Sequence, residues 1–456
     1  MARRFLVALM LCCAPGWSQT EPSNAALLNA SATQSTPGSA TDKRISELQD
    51  RVRKAPGDYS GYDQLGAAFL QKARETGDIT FYDLAERTLK KSLDTAPQDF
   101  RSADPLVHMC LVYMGEHRFS EVLTFAHKAM ALGSGNLAAF AVEGDAYTDI
   151  GDYDEAAAAY NAVQTLGQAI SSPLGVTYMA DSRKAYLSFL HGDSSEGLRL
   201  MNNAITAGLQ TNVPRENLAW LYFESGERYF QVGDLTNAEL SYRSGIAADL
   251  NHNRSLAGLA KVRAAQGRFE ESVQLYQRSV AIIPFPPYLA ELGDVYKKMG
   301  RLAEAQQQYD LVEYIAHLSA LNQVLANREL ALFYADHEIK LAEAVEFARK
   351  ELEVRHDIYT WDALAWALYK DGQIQEAAAA MKKALSLKTN DPLLLFHAGM
   401  IDHSLGQDSD SERLLSLALK LNPHFHIFFS DLASRTLDDI SRSRSRDLRS
   451  SNTGNQ

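Results

Sequence analysis

Three short stretches carry residue types that could do chemistry. Asp249, Asn251 and Asn253 alternate as the first oxygen ligands of a calcium loop do. Such a loop needs glycine at its sixth position and a bidentate glutamate at its twelfth. Here those are Arg254 and Ala260, so the ligand shell cannot close. His424 and His426 are two imidazoles, but no cysteine or second histidine pair stands at ligand spacing, which favours a packing or surface role. Gly192-Asp193-Ser194-Ser195 faintly resembles a hydrolase serine motif, yet it falls at a turn between helical stretches, not at a strand-to-helix elbow. No phosphate-binding loop or dinucleotide fingerprint occurs. These residues predict no catalysis, no metal and no cofactor.

With 456 residues, 46% hydrophobic and 22% charged, the chain can bury a large core. Lys and Arg number 45 against 57 Asp and Glu, a net charge of −12, which argues against nucleic-acid binding through a basic footprint. Arg3 and Arg4 precede a ten-residue apolar run, Phe5 to Ala14, too short to span a bilayer. Gly16 and Ser18 then place small residues at −3 and −1 of a cut before Gln19. Residues 1–18 are therefore expected to be an export signal, with the mature protein periplasmic or extracellular and not stably inserted in a membrane. Lipid anchoring at Cys12 or Cys13 is disfavoured, because the residues before them are not small. Export leaves Cys110 alone, so no intramolecular disulfide can form. Residues 19–42, rich in Ser, Thr, Ala and Asn, read as a flexible spacer, and the Arg/Ser-rich residues 434–456 as an unstructured tail.

Between them a phrase recurs: GDYDEAAAAY (151–160), GDLTNAELSY (233–242), GRFEESVQLY (267–276), GRLAEAQQQY (300–309) and GQIQEAAAAM (372–381). The small residue in each phrase extends to ten markers, Ala85, Val122, Ala156, Gly197, Ala238, Ser272, Ala305, Ala344, Ala377 and Ser411. Most spacings are 33 or 34 residues, with longer ones of 37, 39 and 41. Each unit has 3.6-residue periodicity, so the fold is all-α.

This pattern resembles the tetratricopeptide repeat, a 34-residue helix–turn–helix unit, over residues 59–425. Signature positions are Gly144 and Ala156, Gly226 and Ala238, Gly293 and Ala305, and Ala365 and Ala377. Small residues there let paired helices approach closely, and Pro97, Pro284 and Pro423 close units. The resemblance implies a right-handed superhelical solenoid over 43–433, in which each repeat contacts only its neighbours. Departures are Cys110 and Val122 in place of small residues, about seven extra residues at 75–84, and insertions near 168–177 and 208–218 between hairpins. The unit at 325–357 has Asp336-His337-Glu338 where a turn glycine is usual.

In this family ligands usually lie along the concave face, lined by the first helix of each unit. Carrying those positions over yields Tyr186, Phe189, Trp220, Phe223, Phe230, Tyr359, Trp366, Tyr369 and Phe396. Arg254, Lys261, Lys297 and Lys298 lie between the aromatic stretches and would favour an acidic or carboxylate-bearing ligand. The alternative is that many of these rings pack between repeats. The resemblance thus implies an exported scaffold or adaptor for a protein or peptide in the cell envelope. A structural part of an envelope assembly or polymer-export machine, or a regulatory subunit of an enzyme, are the other readings, and oligomerisation is left open. Mass spectrometry of the protein from its native host should find a mature N-terminus near Gln19. A main pool retaining Met1 would overturn the export reading.

Overall fold

A computed structural model describes residues 40–453 except 134, 169–171 and 322–326, without side chains at 319–321 and 447–453. The expected signal, and the spacer up to residue 39, lie outside the described residues. The described chain divides into two compact units. The first holds the residues before Glu116 together with Ser120–Val142, and the second holds 116–119 and everything from Glu143.

The first unit contains α1 (Ala40–Lys54), the hairpin α2 (Tyr59–Thr76) and α3 (Thr80–Thr95), α4 (Ala103–Gly115), most of α5 (Phe119–Ala131) and the start of α6 (Leu137–Ile150). The second continues from α6 into α7 (Tyr153–Gly167), then the hairpins α8 (Pro173–Leu190) with α9 (Ser194–Gln210) and α10 (Arg215–Gln231) with α11 (Leu235–Ala248). Next come α12 (Asn253–Ala265) with α13 (Phe269–Ile282), α14 (Pro286–Lys298) with α15 (Leu302–Leu321), and α16 (Asn327–His337) with α17 (Leu341–Glu351). The last hairpins are α18 (Ile358–Lys370) with α19 (Ile374–Ala384) and α20 (Pro392–Ser404) with α21 (Asp408–Leu421), followed by α22 (Phe429–Thr453). Among the described residues all regular structure is helical, and each of the ten markers sits on the second helix of a hairpin, as the repeat requires.

Local chemistry explains the hairpins. In the Gly192-Asp193 and Gly233-Asp234 turns, glycine ends one helix in a left-handed conformation, and aspartate caps the next by accepting from Glu196 N–H and Asn237 N–H at 3.0 Å. The serine motif is therefore a helix cap. The signature glycines make room for an aromatic ring: a Cβ on Gly144, Gly226 or Gly293 would lie 2.4–2.5 Å from the ring of Tyr160, Tyr242 or Tyr309. The facing Ala156, Ala238, Ala305 and Ala377 are buried, as is Ala365. Cys110 Sγ lies 3.5 Å from the Val122 carbonyl, where α4 crosses α5, and burial pushes its thiol pKa up. Glu338 substitutes for the missing turn glycine by adopting φ 56° itself.

Three expectations need correction. The insertions near 168–177 and 208–218 are not simply loops: α8, α9 and α10 have 18, 17 and 17 residues against 13 in α12 and α14, so much of the extra length is helix. The Arg/Ser tail is not unstructured, because residues 434–453 belong to α22. Phe429, Ala433 and Ile440 repeat every four or seven residues and are buried, while Arg444 reaches Glu412 at 2.6 Å.

The third correction is larger. Within the second unit, contacts are not confined to adjacent repeats. His356 N–H donates to the Ile150 carbonyl at 2.8 Å, Asn390 Nδ2 to the Gly192 carbonyl at 2.8 Å and Asn422 Nδ2 to the Phe230 carbonyl at 2.6 Å. Each pair joins the turn of one hairpin to a linker about 200 residues later, so the array touches itself after roughly six repeats of 34 residues. Gly151, Gly192 and Gly233 sit under these linkers, and a Cβ on Gly233 would lie 2.5 Å from the Leu421 carbonyl oxygen. Gly300 has nearly the same φ, 77° against 78°, but nothing within 4 Å of a Cβ position.

This contrast separates two costs. Gly300→Ala should lose about 1–2 kcal/mol to left-handed strain alone. Gly233→Ala should lose that plus about 1–3 kcal/mol from displacing the Leu421 backbone. Urea unfolding of both variants checks this, and equal losses would argue against the long-range contact.

Candidate functional site

The first helices present one face to their hairpin partners and another to the inside of the array. On that inner side, most of the expected aromatic stripe is packed away. Tyr186, Phe189, Trp220, Phe223, Phe230, Tyr359 and Phe396 are buried, and Trp366 is 0% exposed. Trp366 donates its indole N–H to Asp336 at 2.7 Å and stacks on His397 with centroids 4.1 Å apart. Phe396 stacks on Phe429 at 5.0 Å, and Phe223 lies 6.2 Å from Tyr242. The Arg228 guanidinium lies over the Tyr186 and Phe189 rings at 5.7 and 5.1 Å. Tyr359 donates to Asp391 at 3.3 Å. These rings are core here, and removing Trp366 would hollow the interior rather than bare a ligand surface. Tyr369 is half-buried against Trp366.

The expected cations are also engaged. Lys261 contacts both Glu227 carboxylate oxygens at 2.7 and 2.8 Å. Lys298 donates to Asp431 at 2.8 Å and to the Ile427 carbonyl at 3.3 Å. Lys297 and Lys298 both lie over the Phe428 ring, at 5.5 and 5.7 Å. Arg254 is half-buried on α12. The chain's own residues 422–431 thus lie along the inner faces of α10 and α14, held by backbone carbonyl, carboxylate and ring contacts. His426 is half-buried there, with its ring stacked on Phe429 at 4.0 Å, which is a packing role. Burial lowers its pKa to about 3, so the neutral Nδ1 accepts from Phe428 and Phe429 N–H at 3.2 Å.

Beside this segment a cavity of about 260 Å³ opens between α12, α14 and α16. Of the expected site residues, Phe230, Lys261 and Lys298 meet at it, and the others do not line it. Its lining also includes Glu291, Asp294, Glu329 and Asp336, which the repeat positions did not single out. The available signal was spacing: Glu291 and Asp294 are three apart and Glu329 and Asp336 seven apart, so each pair shares a helix face. Asp294 accepts from Tyr309 at 2.8 Å and pairs with His337 at 3.1 Å. Burial would raise Asp294, but the hydrogen bond and charge of His337 outweigh it and hold the carboxyl below its ordinary value. Burial likewise opposes His337 protonation, and Asp294 reverses that and raises the imidazole. Among the described residues no group of three or more His, Cys, Asp or Glu could hold a metal ion, and no helix is long and apolar enough to cross a membrane.

Burial raises the Asp336 carboxyl from 3.8 to about 6. The folded state therefore holds this proton at pH values where the unfolded chain has lost it, and stability falls as pH rises from about 4 to 6. Asp336→Asn keeps an acceptor for Trp366 and removes that titration. Its stability relative to the parent should improve by roughly 2–3 kcal/mol between pH 4 and pH 8, read by urea unfolding at both. A constant difference across that range would mean Asp336 does not titrate as described.

Comparison with known proteins agrees with the repeat architecture. Two family models described as Tetratricopeptide repeat match, one over residues 223–287 and the other over 138–166, 286–316 and 358–391. Protein O-mannosyl-transferase TMTC3 of Homo sapiens is 28% identical over 203 residues, 42% of this chain and 21% of that protein. Protein CTR9 homolog of Arabidopsis thaliana is 32% identical over 89 residues, 19% of this chain and 8% of that one. This chain therefore spans only a minor part of either relative. A solved tetratricopeptide repeat protein from Parabacteroides merdae covers 58% of this chain and 99% of its own, at 16% identity and a TM-score of 0.33.

Proposed function

We propose that this chain, a tetratricopeptide repeat protein and scaffold for protein–protein contacts, holds a protein or peptide partner on the inner face of α10 to α16 after export to the cell envelope. The observation that carries this reading is intramolecular. Residues 422–431 already rest on that face as a peptide would, with Lys298 on the Ile427 carbonyl and Asp431, and Phe428 beneath Lys297 and Lys298. Such contacts use backbone carbonyls and generic side chains, and Lys297, exposed beside Lys298, can make the same kind of contact with a partner segment. This reading rests on binding contacts alone and assigns no catalytic step. Export rests on residues 1–18 alone.

A photo-crosslinking amino acid at Lys297, exposed on α14, should capture a discrete polypeptide in the native host. The same group at Arg349, exposed on the second helix α17, serves as control. Equal labelling from both positions, or none from Lys297, would overturn the inner-face assignment, and fractionation of the adduct reports its compartment.

A further inference from the structure

Residues 422–431 run from the end of α21 into the start of α22 and have two firm anchors. Asn422 is buried and donates to the Phe230 carbonyl at 2.6 Å, and Phe429 is buried among Trp366 and Phe396. Between the anchors, residues 423–428 form a strap that is exposed or half-buried throughout. Much of its hydrogen bonding is local: His424 N–H to Asn422 Oδ1 at 2.8 Å, His426 N–H to Ser430 Oγ at 3.3 Å, and Phe428 N–H to the His426 ring at 3.2 Å. Lys298 ties it to the inner face through the Ile427 carbonyl and Asp431, Phe428 lies under Lys297 and Lys298, and the Phe425 ring stands 5.6 Å from Phe396. Both lysines are exposed and the Asp431 side chain is 67% exposed, so solvent screens this pair and it adds little.

The strap also fits its seat loosely. Pro423, His424, Phe425, His426 and Ile427 line the cavity of about 260 Å³, together with Phe230, Phe269, Ala290, Val295 and Phe333 of the helices. Close-packed interiors leave few gaps wider than a water molecule, and atoms lining a gap forgo dispersion contacts there. A cavity of roughly 150 Å³ already takes up benzene, so this one has space for a large apolar side chain. A segment that supplied such a side chain would gain contacts that the strap leaves unmade.

We propose that residues 423–428 are a displaceable stand-in for the partner, and that the partner segment replacing them brings a carboxylate to Lys298, an aromatic ring to Lys297 and a large apolar side chain to the cavity. The inference rests on the inner-face reading and adds to it the partner's chemistry and a competitor built into the chain.

Fluorescence anisotropy with labelled, end-blocked peptides tests this on the full chain. The probes are the sequence of residues 422–431, the same sequence altered as Phe428→Ala and Asp431→Asn, and the same sequence altered as Ile427→Trp. The parent is compared with its own Phe428→Ala, Asp431→Asn variant, in which the strap is loosened and the inner helices are unchanged. A tethered segment competes at an effective concentration on the order of millimolar, so the unaltered peptide should bind the variant at least about tenfold more tightly than the parent. The doubly altered peptide should bind the variant at least about tenfold more weakly than the unaltered one. The Ile427→Trp peptide should bind more tightly still, and Ala290→Leu, which fills the cavity from α14, should erase that gain. Equal affinity for parent and variant, no binding to the variant, or indifference to the peptide changes overturns the proposal. Should the variant misfold, hydrogen exchange of the parent reads the same event. The unaltered peptide in excess should speed exchange at the amides of residues 424–429, and unchanged exchange overturns the proposal. Crosslinking at Lys297 in the native host tests the inner-face reading separately. A partner captured there without any peptide gain in the variant sinks the strap alone, whereas no capture sinks the reading on which the strap rests.

Discussion

The second unit depends on one buried cation. Arg355, in the linker between α17 and α18, is 2% exposed and cannot hydrate its charge. It forms an ion pair with Glu351 at 2.7 Å, faces Asp149 at 3.6 Å and donates to the His117 imidazole at 3.0 Å, with its guanidinium over the Phe119 ring. Burial and the adjacent arginine hold His117 far below its usual pKa, so the neutral ring can accept. Burial likewise raises Asp149 to about 7. Breaking one partner away from such a set strands a charge, which costs more than an ordinary surface contact. The linker must therefore stay against the end of α6.

That constraint propagates. Once His356 is bonded to Ile150, repeat geometry places the next linker over Gly192 and the following one over Gly233. An open array leaves its first helices facing solvent. Here the first helices of consecutive repeats, α18, α20 and α22, stack on one another, and Trp366, Phe396, His397 and Phe429 form a common core. The inner face shrinks to what lies between α12, α14, α16 and residues 422–431. Acids concentrate there, and the available lysines are neutralised by Glu227 and Asp431.

The same closure accounts for both kinds of turn glycine. Where a linker passes overhead, as at Gly233, the absent side chain makes room for another backbone; where none passes, as at Gly300, only the left-handed conformation matters. The two are alike in sequence context, each preceding the second helix of a hairpin. Only the position of a segment far along the chain distinguishes them.

The repeat itself was legible from the amino-acid order, because helix periodicity, turn glycine, aspartate cap and glycine–tyrosine pairing all act within one hairpin. Ten markers located ten second helices for that reason. Closure was not legible. Contacts such as Asn422 with Phe230 span about 190 residues and use common polar side chains, so no local pattern announces them. Ring exposure was hidden for a nearer cause: Trp366 occupies a first-helix position that α20 and α22 of the following stack cover, and one unit read alone does not show that cover. The Arg/Ser tail looked unstructured because its polar face dominates the composition, while its few buried residues acquire meaning only against a partner helix. Glu329 illustrates the limit most plainly. Its residue type and helix were determined by sequence, but that its oxygens lie buried, 3.6 Å from the Arg328 guanidinium and without a hydrogen bond, was decided by tertiary packing.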